Sequence, residues 1–145
     1  MSLRLSTGLR QALLGSSDLK DVFTAFFIDI YSGLQPSSAD AAPTGTKLCT
    51  FFNDGVATGL NFDPPVAGVI SKKSTETWSG TAVATGTAGW FRVRLAADTG
   101  ALSTTDKRLD GACSTSGAEL NGPSLAIQSG AVQTINTFAL TEPAQ

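Results

Sequence analysis

The chain has 145 residues, enough for one domain that buries roughly two thirds of its unfolded surface and so needs no disulfide or metal to fold. Hydrophobic residues make up 41% and charged residues only 15%, against ~25% in an average soluble domain, a balance that excludes a disordered chain. The net charge is −2, and the basic residues are scattered as Lys72-Lys73, Arg92 with Arg94, and Lys107-Arg108; this excludes a nucleic-acid stripe, and the pairs read as solvated strand edges or rim contacts.

In chain order, Ser6 and Thr7 are capping residues ahead of Leu9, Leu13 and Leu14, which share one helical face, and Gly15 is placed to stop that short helix. Ser17 or Asp18 caps a second short helix through Leu19, Val22, Phe23 and Phe26. The period then changes to two: Phe27, Asp29 and Tyr31 face one way, and Ile28, Ile30 and Ser32 the other, which predicts a strand. Residues 33–46, with Pro36, Pro43 and Gly45, form a long loop, and connections of this length are often functional or interfacial. Residues 48–52 read as a strand, Asn53-Asp54-Gly55 as a turn, 60–62 as a short strand ended by Pro64-Pro65, and 66–71 as weakly strand-like.

The strongest β region runs from 75 to 95, with a break at 86–89; beyond it Trp90, Arg92 and Arg94 alternate with Phe91, Val93 and Leu95. Asp98-Thr99-Gly100 turns the chain, and 108–113, 124–128 and 134–140 complete the set. About eight short strands, separated by turns and without a βαβ rhythm, predict a mainly β fold: an antiparallel β-sandwich or barrel-like domain over 27–145, with a short N-terminal helical arm over 1–26.

The absence of His removes Ser–His and Cys–His nucleophile pairs and zinc sets that include His. Cys49 and Cys113 make no CxxC motif and read as buried free thiols, with a disulfide between them as the alternative that spacing does not decide. The expectation is a chain that builds or binds, without catalytic residues, cofactor or metal. One motif stands against it: Ala96-Ala97-Asp98-Thr99-Gly100-Ala101 resembles the catalytic loop of homodimeric retroviral-type aspartic proteases, in which two subunits each supply one Asp. That family also needs a later apolar-apolar-Gly-Arg segment, and Arg108-Leu109-Asp110-Gly111 has the wrong order, so Asp-Thr-Gly reads as a hairpin turn. Trp78, Trp90 and Phe91 would suit a carbohydrate-stacking platform or, more simply, a core; Trp90, sharing a face with Arg92 and Arg94, is the better candidate for an exposed or interfacial ring.

Several segments together resemble a family of small proteins encoded by tailed bacteriophages and prophages. They are Leu9 to Leu14 within STGLRQALLG, IDIYSGLQPSSADAAPTGTKL from Ile28, GVISKKSTETWSG from Gly68, ATGTAGWFRV ending at Val93, RLDGACSTSGAEL from Arg108 and TINTFALTEP from Thr134. The resemblance covers most of the chain in order; residues 52–59 depart from it, being shorter than the hairpin found there in similar proteins.

It implies a virion structural protein made in the bacterial cytoplasm: a capsid decoration or cement protein, or else a tail, collar or neck accessory protein. The implied partners are further copies of the chain and other virion proteins, including the major capsid protein, with no nucleic acid and no membrane. No signal peptide is visible, and the apolar run 22–31 is too short for a span. The candidate interface comprises Leu9, Leu13 and Leu14 on the arm, Gln35 and Pro36 in the long loop, and Trp90, Arg92 and Arg94 on the strand; the arm has the alternative of packing on its own domain.

Overall fold

The computed structural model describes residues 3–141; the outer ends of the two expected segments, 1–2 and 142–145, lie outside the described residues. Strand β1 (Arg4–Leu5) leads into helix α1 (Thr7–Leu14), then α2 (Leu19–Val22), β2 (Phe27–Ser32), β3 (Lys47–Asn53), β4 (Val69–Ser71), β5 (Trp78–Thr81) and β6 (Gly86–Arg94). After β6 come β7 (Leu109–Ser114), β8 (Leu120–Asn121), β9 (Ala126–Ile127), β10 (Val132–Ile135) and β11 (Ala139–Thr141). The large sheet runs β1-β7-β6-β2-β3-β5-β10, with β8 beside β7 and β9 beside β6, while β4 and β11 form a separate two-stranded sheet. All named pairs are antiparallel except β7 with β8. The mainly β, sandwich-like fold with a short N-terminal helix is therefore what the chain adopts.

Alternation within the central strands creates two faces. Ile28 lies opposite both Phe51 and Val93, Ile30 opposite Phe91, and Val93 opposite Leu109, so one face of the sheet is apolar. The small sheet contributes Ile70 and Leu140 to the same core. Phe26, Phe62, Trp78, Phe91 and Phe138 meet edge-on or stacked, with Phe26 and Phe62 ring centroids 4.7 Å apart and Phe91 edge-on to Phe138 at 5.5 Å. The Trp78 indole N–H is satisfied inside this cluster by Glu76 Oε2 at 2.9 Å. Gly111 sits opposite Phe91, whose ring occupies the space a side chain would need: a Cβ at Gly111 would lie 2.6 Å from it.

The helical arm belongs to this domain. Its anchor is Ser6, fully buried, whose hydroxyl caps α1 by accepting from the Leu9 N–H (3.1 Å), accepts from the Arg108 N–H (2.9 Å) and donates to the Asp106 carbonyl (2.7 Å). Gly8 permits the close approach of α1 to the 105–106 backbone; a Cβ there would fall 2.2 Å from the Thr105 carbonyl oxygen. Leu9 is wholly inside the core, and β1 pairs with β7. The division at residue 26 is thus no physical boundary, because the arm's apolar face and its backbone are completed by strands far along the sequence.

Three other expectations change: the break placed at 86–89 lies inside β6, which runs uninterrupted over Gly86–Arg94 with its first residues paired to β9. Residues 60–62 contribute only isolated bridges, Phe26 with Leu60 and Phe62 with Lys72. The run 134–140 is not one strand: β10 lines β5, then the chain leaves that sheet, buries Phe138 and pairs β11 with β4.

Candidate functional site

On the second face of the sheet, residues that the sequence places at polar alternating positions form a row across strands. Arg4 on β1 lies opposite Asp110 on β7, Asp110 opposite Arg92 on β6, Arg92 opposite Asp29 on β2, and Asp29 opposite Thr50 on β3. Opposite charges thus alternate from strand to strand, the arrangement that favours cross-strand pairing. Arg92 donates to both Asp110 oxygens at 2.7 Å, and both side chains are essentially inaccessible. Asp29 accepts from Arg94 Nε at 2.6 Å and from Thr50 Oγ1 at 2.6 Å. Arg108 forms a third buried pair, its Nε and Nη2 bonded to Asp98 at 2.6 and 2.7 Å.

These cations also reach outward to the long loop and hold it over the sheet. Arg92 Nη1 donates to the Ala41 carbonyl at 3.0 Å, and Arg108 Nη1 to the Asp40 carbonyl at 3.1 Å. The Trp90 indole donates to the Thr44 carbonyl at 3.3 Å, and Arg4 to the Pro36 carbonyl. The Asp40 carboxylate accepts from both the amide and the hydroxyl of Thr7 at 2.7 Å, so the loop also clasps the first turn of α1. Its ends close on each other through Ser32 and Thr46, where β2 shifts register. Within these fourteen residues of irregular backbone, the carbonyls of Pro36, Asp40, Ala41 and Thr44 are thereby matched to buried or partly buried side-chain donors, as polar groups away from water require.

The candidate interface residues separate into three groups by burial. Leu9, Trp90 and Arg92 are buried, and so is Pro36. Trp90, expected as an exposed ring, stacks on Tyr31 at 4.6 Å beneath the loop, with the Arg92 guanidinium 5.4 Å from its ring centroid. Arg92 and Arg108 are not rim residues, because neighbouring carboxylates neutralise them inside the protein. Leu13, Gln35 and Arg94 are partly buried, whereas Leu14 is 88% exposed. Sequence reasoning gave Asp29, Asp40 and Asp110 no part in a site and read Arg108 as a solvated edge or rim residue. The available signal was charge of both signs at interior strand positions flanked by apolar residues, as in Ile28-Asp29-Ile30 and Arg108-Leu109-Asp110. Leu34, on the loop and 85% exposed, was also missed.

Asp98 is a turn-forming and pairing residue. Its Oδ1 accepts from the Gly100 N–H at 2.7 Å, with Gly100 at φ 83°, and both oxygens are bonded to Arg108. Burial raises its pKa, but the Arg108 bonds, the Gly100 amide and the Arg108 charge outweigh that and leave it below the usual carboxylate range. A proton-sharing aspartate dyad needs the opposite, a carboxyl facing a second carboxyl and a water. At Asp110 burial wins over Arg92 and the pKa is raised. Trp78, Trp90 and Phe91 are all fully buried, so none of these rings offers a stacking surface for sugars. Beside the loop lies a crevice of about 130 Å³ lined by Tyr31, Pro43, Lys47, Arg94 and Thr99. Among the described residues there is no cluster of His, Cys, Asp and Glu able to hold a metal, and no helix long and apolar enough to cross a membrane.

Cys49 and Cys113 are free. Burial, reinforced by the negative charge of Asp29, pushes the Cys49 thiol from 9.0 up to about 11. A group raised in the folded state contributes stability that is complete below its unfolded pKa and is lost as pH rises through the folded one. Stability should therefore decline from pH 9.0 to about 11, by about 3 kcal/mol from this residue. Urea unfolding across that range should show the decline; burial also pushes the Cys113 thiol up to about 12, so Cys49→Ala should lessen the decline and Cys49→Ala with Cys113→Ala should remove the thiol contribution.

Compared with protein families, curated proteins and solved structures, the chain finds no match.

Proposed function

We propose that this chain is a structural protein of a tailed-bacteriophage virion, a capsid decoration or cement protein that stabilises the head through protein–protein contacts. The reading rests on the resemblance of ordered segments over most of the chain to small phage-encoded proteins. The observation that carries it in three dimensions is the pinned loop. Buried arginines tie the Asp40 and Ala41 carbonyls of loop 33–46 while Leu34 stands 85% exposed on it, and Leu14, at the end of α1, is 88% exposed. A preordered loop with an apolar tip loses little conformational entropy on docking, so many copies with modest contacts add up on a particle surface. The partners are further copies of the chain and virion proteins, the major capsid protein foremost, and the chain is made in the bacterial cytoplasm before it joins the particle.

Leu34→Asp is the direct test. The position is exposed, so stability should change by no more than about 0.5 kcal/mol. In particles assembled with wild-type and variant protein in competition, variant occupancy should fall by about tenfold or more, the effect of losing one anchor of about 1.4 kcal/mol or more. Equal occupancy, measured by mass spectrometry of purified particles, would remove the loop from the interface.

A further inference from the structure

We propose that the free edge of β10 pairs with β10 of a second copy of this chain, joining two large sheets antiparallel about a twofold axis. Among the described residues β10 pairs with β5 alone and ends the sheet. The Ala82 N–H donates to the Ala131 carbonyl at 2.9 Å, which sets the phase of the ladder. With Gln133 opposite Gly80 and Ile135 opposite Trp78, those pairs exchange bonds, and the backbone groups of Val132 and Thr134 point away from β5. Both residues are exposed, Val132 by 69%.

Single proteins normally guard such an edge with Lys, Pro, a bulge or a covering segment. The opposite end of the sheet has such guards: β1 is two residues long, carries Arg4, and Arg4 reaches the Pro36 carbonyl of the loop. The β10 end has no charge. No charged residue occurs from Leu120 to Thr141, nor from Thr77 to Phe91, which covers β5, β9, β10 and most of β6. Like-charge repulsion, the usual barrier to identical strands, is therefore absent for a chain that is otherwise net negative. A twofold axis at Gln133 matches the outward groups: Val132 of each copy meets Thr134 of the other, and each pair exchanges both backbone bonds. The side chains agree, since the two glutamine amides meet at the axis and can bond each other.

The inference names a partner for the structural protein proposed above but does not depend on its place in a particle: sedimentation tests the edge, particle composition tests the virion reading, and either can fail alone. Sedimentation equilibrium of the full chain, from about 1 μM to about 1 mM, should show a monomer–dimer equilibrium. Gln133→Lys sets two cations face to face and should weaken the dimer by about tenfold or more. Thr134→Pro removes an outward N–H that the intramolecular ladder does not use, and should act likewise with an unchanged circular dichroism spectrum. Gln133→Cys should give an interchain disulfide on mild oxidation. A monomer at every concentration overturns the proposal, as does a dimer that withstands both Gln133→Lys and Thr134→Pro.

Discussion

Arg108→Ala should cost about 3–5 kcal/mol of folding stability, the range found when one partner of a buried ion pair is removed. The guanidinium of Arg108 is completely buried and bonds both oxygens of Asp98, the Ala101 carbonyl at 2.7 Å and the Asp40 carbonyl at 3.1 Å. Its loss leaves the Asp98 carboxylate, itself 2% exposed, without its countercharge and frees the middle of the long loop. The pH dependence should change with it. A carboxylate held below its ordinary range contributes stability that is present above the unfolded pKa and lost as pH falls through the folded one. Wild type should therefore lose this contribution in acid, whereas Arg108→Ala should not show that loss. Arg94→Ala provides the contrast: its partner Asp29 keeps the Thr50 hydroxyl, and Arg94 is partly exposed. Urea unfolding of both variants at neutral and acid pH measures the difference; equal costs would mean that the Arg108 pair is not a structural centre.

Removal of residues up to Leu14 should abolish cooperative folding. Read as an interface element, the arm predicts that loss of residues 1–16 leaves a folded β domain that no longer joins particles; the alternative reading packs the arm on its own domain. In the folded chain the arm's caps are shared. Truncation deletes β1 from the large sheet, the wholly buried Leu9, and Ser6 with its three bonds. Leu9→Ala alone should cost about 2–5 kcal/mol and Ser6→Ala about 1–2. Domains of this size are stable by about 5–15 kcal/mol, so the combined loss takes most or all of the margin. The truncated chain should show poor amide dispersion by NMR and bind a hydrophobic dye. A sharp, dispersed spectrum with a cooperative transition would restore the arm as a separable segment.

Local chemistry made some of the fold legible. Ser6 and Asp18 cap their helices as their positions indicate, and the change of period after Phe26 marks β2, Phe27–Ser32. Two-residue strands such as β1 and β8 leave no periodic trace, and they exist through their partner on β7. Alternation separates two faces of a strand without saying what covers each one. Trp90, Arg92 and Arg94 do share a face, but loop 33–46 lies on it. Its concealment depends on Asp29 and Asp110 arriving from β2 and β7, an encounter fixed by sheet order rather than by neighbours in sequence. Leu34 carries no periodic signal, because irregular backbone has none; its own carbonyl accepts from Thr44 Oγ1 at 2.6 Å and the Pro36 carbonyl accepts from Arg4, while its side chain stays 85% exposed.

The proposal of a virion role is tested most directly by counting copies of this chain in purified tailed-phage particles, by quantitative mass spectrometry against the major capsid protein. Hundreds of copies per particle are expected for a decoration protein that repeats with the head lattice. About six or twelve would place it at the neck or tail and contradict the decoration role. Its absence from intact particles would contradict the virion reading altogether.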